Sequence, residues 1–191
     1  THPDIFSTNG PVDPTSTSVK YSRLCEILDE VVMNDEKVLI FTSYRRMFSV
    51  FINDLTKRYN IPVLAINGDT PVVERQRLVD EFSNIEGSAI FVLNPRAAGT
   101  GLNITAANHV IHYNLEWNPA LEDQSTARVF RRGQRKTVFI HRLFYVDSVE
   151  QIINDRIERK RAISNVAIIG TNGEQENRED IIKALMLSPL H

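Results

Sequence analysis

Apolar positions along this chain alternate between two spacings. Tyr21, Leu24, Cys25, Leu28, Val31 and Val32 recur three and four residues apart, the period of a helix with one buried face. Phe48, Phe51, Ile52, Leu55 and Tyr59 repeat the pattern. Between these stripes lies Val38–Phe41, an unbroken apolar run that predicts a strand covered on both faces. Val63–Ile66, Ala89–Leu93 and Val110–Tyr113 predict three more such strands, and Val138–Val146 a longer fifth one. Thr70-Pro71 and Asn118-Pro119 each read as a cap followed by proline at the first helical position; the first of these helices should run to about Phe82. Ser148 and Gln151 have capping-box spacing, and Val149, Ile152, Ile153 and Ile157 continue that helix as an apolar stripe. Residues 1–17, rich in Pro, Ser, Thr and Asn, read as a flexible linker or arm. Residues 169–191 read as a loop and a short closing helix.

Strands alternating with helices in this way predict an α/β fold with a mainly parallel sheet and helices on both faces. Working residues in such sheets sit on loops at the carboxyl ends of the strands, here after residues 43, 67, 94, 114 and 146.

Composition narrows the function classes only a little. The chain has 191 residues, 22 Lys+Arg against 24 Asp+Glu, and a formal net charge of -2. That balance lacks the basic excess of many nucleic-acid binders, yet Arg128, Arg131, Arg132, Arg135, Lys136 and Arg142 fall in one stretch without an acid. The plain alternative for that stretch is a solvated helix end and loop. The single cysteine, Cys25, excludes an intrachain disulfide, and its place on the apolar stripe predicts a buried structural thiol. No apolar run approaches the ~18 residues of a membrane span. The length suits one domain with appendages, and the first residue, Thr1, is expected to mark a fragment or a processed chain.

Two segments are candidates for chemistry. Arg96-Ala-Ala-Gly-Thr-Gly-Leu-Asn103 follows the third strand; its glycines would let backbone approach a phosphate or sugar, or simply make a tight turn. Gln124, Arg128 and Arg131 share one helical face. That face is either a solvated stripe or a pair of guanidinium groups able to fork onto phosphate oxygens. The sequence holds no GxxxxGK[ST] loop and no DExx-like acidic pair after an apolar strand. The five histidines have no zinc spacing, and His109 and His112 should point to opposite faces of their strand. No metal ligand is therefore assigned.

In order along the chain come KVLIFTS (37–43), the GDTP…ER…F block (68–82), AAGTGLN (97–103), WNP (117–119) and DQ…R..RRGQ (123–134). Together these resemble helicase motifs IV, IVa, V and VI of the Swi/Snf-like ATPases, a branch of superfamily-two helicases. The resemblance covers about residues 20 to 163. It implies a RecA-like three-layer sandwich over residues 18–168, the C-terminal lobe of a double-stranded-DNA translocase. A first lobe of the same polypeptide would then hold the P-loop, and ATP with Mg²⁺ would bind between the lobes. By position, Arg128 and Arg131 match the motif VI arginines that reach the γ-phosphate, the catalytic pair. Gln124, Gly101 and Asn103 match positions near the nucleotide. Ser43, Gly68, Thr70, Arg96 and Thr100 fall in loops that would face the DNA backbone. Pro95, Ala98 and Ala127 depart from the common family pattern; Pro95 offers neither a hydroxyl nor an N–H. The implied setting is intracellular, with a bacterial or archaeal cytoplasm favoured over a nucleus, and the chain reads as half a motor cut near the inter-lobe linker. The other class of function open to the sequence is a non-catalytic DNA- or protein-binding module with the same fold.

Overall fold

A computed structural model describes residues 14–98, 101–116, 119–127 and 137–170. Twelve elements follow the chain: α1 (Pro14–Thr17), α2 (Val19–Met33), β1 (Lys37–Phe41), α3 (Met47–Tyr59), β2 (Val63–Ile66), α4 (Val72–Asn84), β3 (Ala89–Leu93), α5 (Pro95–Ala98), β4 (His109–His112), α6 (Pro119–Ala127), β5 (Phe139–Arg142) and α7 (Val149–Gly170). The strands form one sheet in the order β2-β3-β1-β4-β5, and every neighbouring pair is parallel. Among the described residues no helix is long and apolar enough to cross a membrane.

Side-chain alternation along the strands builds two cores. Val38, Ile40, Ile90, Val92 and Ile111 pack with Tyr21, Leu24 and Leu28 of α2 and Phe51 and Leu55 of α3. Leu39, Phe41, Phe91, Leu93 and Val110 face the opposite way, onto Val79 and Phe82 of α4 and onto Leu102 and Ile104. Burying each large aliphatic or aromatic side chain contributes about 1.5–3 kcal/mol, so both faces of the sheet need a helical cover. The two helices of the first face are also latched by polar groups. The Tyr21 hydroxyl donates to Asp54 over 2.7 Å, and Asp54 also accepts from Arg58. Cys25 is buried on this face, and burial pushes its thiol up to about 11, as befits an inert core residue.

The local punctuation differs from the sequence reading in informative places. Pro14–Thr17 is a helical turn rather than the end of an arm; residues 1–13 and 171–191 lie outside the described residues. α4 starts one residue later than expected, with Pro71 as its cap residue, because the Thr70 hydroxyl is taken by Asn67. β5 ends at Arg142, four residues short of the expected Val146. The Tyr145 N–H donates to Glu150 at 3.0 Å and the Ser148 hydroxyl donates to the Tyr145 carbonyl, so this stretch folds into the entry of α7 instead of the ladder. Ser148 accepts from the Glu150 N–H as a cap should, but Gln151 accepts from Asp147, one residue upstream of the capping-box donor.

At the amino edge of the sheet, His109 and His141 stack with ring planes 7° apart. His109 Nδ1 lies 3.4 Å from His141 Nε2, and its Nε2 lies 2.6 Å from Glu36. Phe139 also stacks on His109, with ring centroids 5.0 Å apart. Burial holds the His141 pKa below its ordinary value, and the His109 and Arg23 charges add to this while Glu30 opposes it. A group whose pKa is lowered on folding favours the neutral form in the native state. Its contribution is complete above the unfolded pKa and disappears as pH falls through the folded one. Thermal melts are therefore expected to lose stability as pH drops from 7.5 towards 5, with a smaller loss in His141→Asn. The same loss in both proteins would contradict this assignment.

Candidate nucleic-acid interface

Because the five strands are parallel, their carboxyl ends share one edge, and the loops after β1, β2 and β3 lie side by side there. Ser43 stands exposed immediately after β1, Gly68 and Thr70 after β2, and Arg96 on the α5 turn after β3. The structure thus brings four of the five residues expected to face DNA to one edge. Thr100, the fifth, lies outside the described residues.

Each loop is held by an amide side chain. Asn67 Oδ1 accepts from the N–H groups of Asp69 and Thr70 at 2.9 and 3.1 Å. Asn94 Oδ1 accepts from the Arg96 N–H at 3.0 Å, which starts the α5 turn just after Pro95. Asn114, at the end of β4, reaches across to the β1 loop. Its Oδ1 accepts from the Thr42 hydroxyl (2.8 Å) and the Ser43 N–H (3.0 Å), and its Nδ2 donates to Ser43 Oγ (2.7 Å). Arg45 ion-pairs with Asp69 and so ties the β1 loop to the β2 loop.

Arg75 ties the β2 loop to the α5 turn. Its guanidinium is buried and donates to the carbonyls of Thr70 (3.0 Å) and Ala97 (3.4 Å). Neither Arg75 nor Asn114 stands out as a site residue in the sequence. The signal for Arg75 is its register: it shares the buried stripe of α4 with Val79 and Phe82, a place where an arginine needs a polar partner. Asn114 carries a weaker signal, a lone amide following an all-buried strand.

The residues expected near a nucleotide are only partly visible. Gly101 adopts φ +92, a left-handed conformation that favours glycine, with open space where a Cβ would stand. Asn103 and Gln124 are exposed. Arg128 and Arg131 lie outside the described residues, and α6, which leads to them, packs beside α5 and α7. Glu122 does more than favour the dipole of α6. It is buried, and its Oε1 lies 3.2 Å from Arg142 Nε, while Arg142 also pairs with Glu158 and donates to Asn154 on α7.

The entrance of α7 is fixed from α2. Lys20 Nζ lies 2.5 Å from Glu150 and over the rings of Tyr145 and Tyr113, at 4.9 and 5.6 Å from their centroids. Burial lowers the Lys20 pKa, and the Glu150 carboxylate counters that shift. Burial likewise raises the Tyr44 hydroxyl, helped by the nearby Glu150 and Glu116 charges. No three His, Cys, Asp or Glu side chains among the described residues are grouped so as to hold a metal ion.

Residues 19–133 match the family described as the helicase conserved C-terminal domain. The chain belongs to that family.

This helicase lobe is 38% identical over 155 residues to YwqA of Bacillus subtilis (strain 168), a match covering 81% of the chain and 17% of YwqA. The C-terminal part of the Fun30 ATPase domain superposes with a TM-score of 0.71 at 32% identity, covering 77% of this chain and 47% of that one. The Sulfolobus solfataricus SWI2/SNF2 ATPase core, solved in complex with dsDNA, gives 0.69 at 31% identity, covering 85% and 33%. The helicase lobe is therefore of the Swi2/Snf2 kind, and its parallel sheet with helices on both faces is RecA-like. It spans under a fifth of the YwqA length.

Proposed function

We propose that this lobe is the second half of an ATP-driven double-stranded-DNA translocase. The observation that carries this reading is the shared carboxyl edge, where Ser43, Gly68, Thr70 and Arg96 sit on three adjacent loops cross-tied by Asn114, Arg75 and the Arg45–Asp69 pair. Rigid loops presenting a hydroxyl and a guanidinium suit the regular oxygens of a duplex backbone. Thr100 would extend that surface. Contacts of this type carry little sequence information and are strongly salt-dependent.

On the neighbouring β4 side of the sheet, Gln124, Arg128 and Arg131 would face the phosphates of ATP, with Gly101 and Asn103 lining the nucleotide. Arg128 and Arg131 would act as arginine fingers, supplying fixed positive charge where charge develops on the equatorial oxygens of the transferred phosphoryl group. The P-loop and the Mg²⁺ ligands would come from a first RecA-like lobe. Opening and closing of the two lobes would move duplex phosphates along the edge loops.

Two measurements test the split site. The isolated chain is expected to bind duplex DNA weakly, with affinity falling steeply as salt rises, and to show no DNA-stimulated ATP hydrolysis. Robust turnover by the pure chain would overturn the reading.

A further inference from the structure

We infer that Asn114 is a positioning residue that sets the direction of the Ser43 hydroxyl, so that its proton faces a phosphate oxygen of the duplex backbone. The inference rests on the DNA reading of the carboxyl edge.

The hydrogen-bond directions follow from one obligatory donor. The Ser43 backbone N–H can only donate, and its partner at 3.0 Å is the side-chain amide of Asn114. The atom facing it must therefore be the amide oxygen, which places the NH₂ group on the other side, 2.7 Å from Ser43 Oγ. An NH₂ group only donates, so Ser43 Oγ accepts there. The serine proton is then left for an acceptor outside this network, and Ser43 is exposed.

Three further donors of this loop are turned inward. The Ser43 N–H goes to Asn114, the Tyr44 N–H to Thr42 Oγ1, and the Thr42 hydroxyl proton to Asn114. The β2 loop is similarly occupied: the Asp69 and Thr70 N–H groups and the Thr70 hydroxyl proton all go to Asn67. On the β1 loop the Ser43 hydroxyl offers its proton outward beside the exposed Arg45 guanidinium, and its aim depends on a side chain just past β4. Asn114 lies on the stretch that joins β4 to α6, so the residue orienting the proposed DNA contact sits on the path to the proposed nucleotide helix.

The sharpest perturbation reverses one hydrogen bond and keeps the others. In Asn114→Asp the carboxylate still accepts from the Thr42 hydroxyl and the Ser43 N–H. It cannot donate to Ser43 Oγ, and instead it draws the serine proton inward. The test is duplex binding by fluorescence anisotropy at low salt, using the 191-residue chain and its Ser43→Ala, Asn114→Asp, doubly substituted and Arg96→Ala forms, each checked by thermal melting.

Loss of a hydrogen bond to a charged group weakens binding roughly tenfold or more. Ser43→Ala is expected to show that loss, and Asn114→Asp a similar one. The double variant should bind no more weakly than Ser43→Ala alone, because without the hydroxyl there is nothing left to aim. If the two losses instead multiply, the added carboxylate is acting by repulsion and the positioning role is overturned. If Ser43→Ala binds normally while Arg96→Ala is weakened, the edge binds DNA but this inference fails. If both bind normally, the DNA reading of the edge fails with it.

Discussion

In the complete motor, Arg131→Ala is expected to lower DNA-stimulated ATP hydrolysis by about 10³-fold or more, with duplex affinity nearly unchanged. The magnitude follows from the chemistry of phosphoryl transfer. A guanidinium placed against the equatorial oxygens stabilises charge that grows only in the transition state, and such fingers change kcat by roughly 10³–10⁵. Duplex binding should survive because the residues proposed to face DNA sit on loops after β1, β2 and β3, whereas Arg131 follows α6 in sequence. Lysine at this position should rescue little, since a point charge cannot replace a planar fork. Unchanged turnover would remove Arg131 from the proposed catalytic pair and leave Arg128 to be tested in the same way.

Arg142→Met should lower the stability of the lobe by about 3–5 kcal/mol, read as a shift in denaturant midpoint. The Glu122 side chain is 1% exposed, and the Arg142 guanidinium faces it from β5. Removing that partner leaves a carboxylate buried opposite a thioether. The same arginine joins α6 to α7 through Glu158 and Asn154, so its loss also frees the helix that leads towards Arg128 and Arg131. Hydrolysis by the complete motor is therefore expected to fall even at temperatures where the variant remains folded. Glu122→Gln should be milder, because a neutral amide can still accept from Arg142. Wild-type stability in Arg142→Met would show that the pair contributes nothing net.

Strands were the most legible part of the sequence, for a simple reason. A parallel sheet covered on both faces requires consecutive apolar residues, and Val63–Ile66 and Ala89–Leu93 have the bounds that their apolar runs predict. β1 and β4 each begin one residue earlier than their apolar runs, at Lys37 and His109, and β4 also ends one earlier, at His112; β5 departs furthest. Val138–Val146 is apolar enough to be one long strand, but hydrogen bonds from the Tyr145 N–H to Glu150 and from the Ser148 hydroxyl to the Tyr145 carbonyl pull Tyr145 into a helix entry. Hydrophobic pattern alone does not register that competition. The edge loops were legible as places, since parallel topology puts working residues at strand ends. The residues that bind those loops together were not: Asn114 and Arg75 act through partners at the end of another strand and helix, 71 and 22 positions away. Only the fold brings such pairs together. Ser43 and Thr70 illustrate the limit. Both are hydroxyls on loops of the same sheet edge, yet one is exposed and the other is closed onto Asn67.

The strand order also bears on how this lobe comes to exist at all. β1 lies in the middle of the sheet, and Val38 pairs with Ile90 on one side and His109 on the other. Among the described residues the sheet contains no hairpin, so none of its ladders forms from neighbouring stretches of chain. During synthesis the central strand is made before both of its partners and waits, unpaired, until β3 and then β4 have left the ribosome. Loop closure over such spans is slow, and through that interval Val38–Phe41 is an exposed, aggregation-prone segment. The same arrangement makes the finished sheet hard to unravel from its ends, because the strand that holds both halves together is the one farthest from either edge.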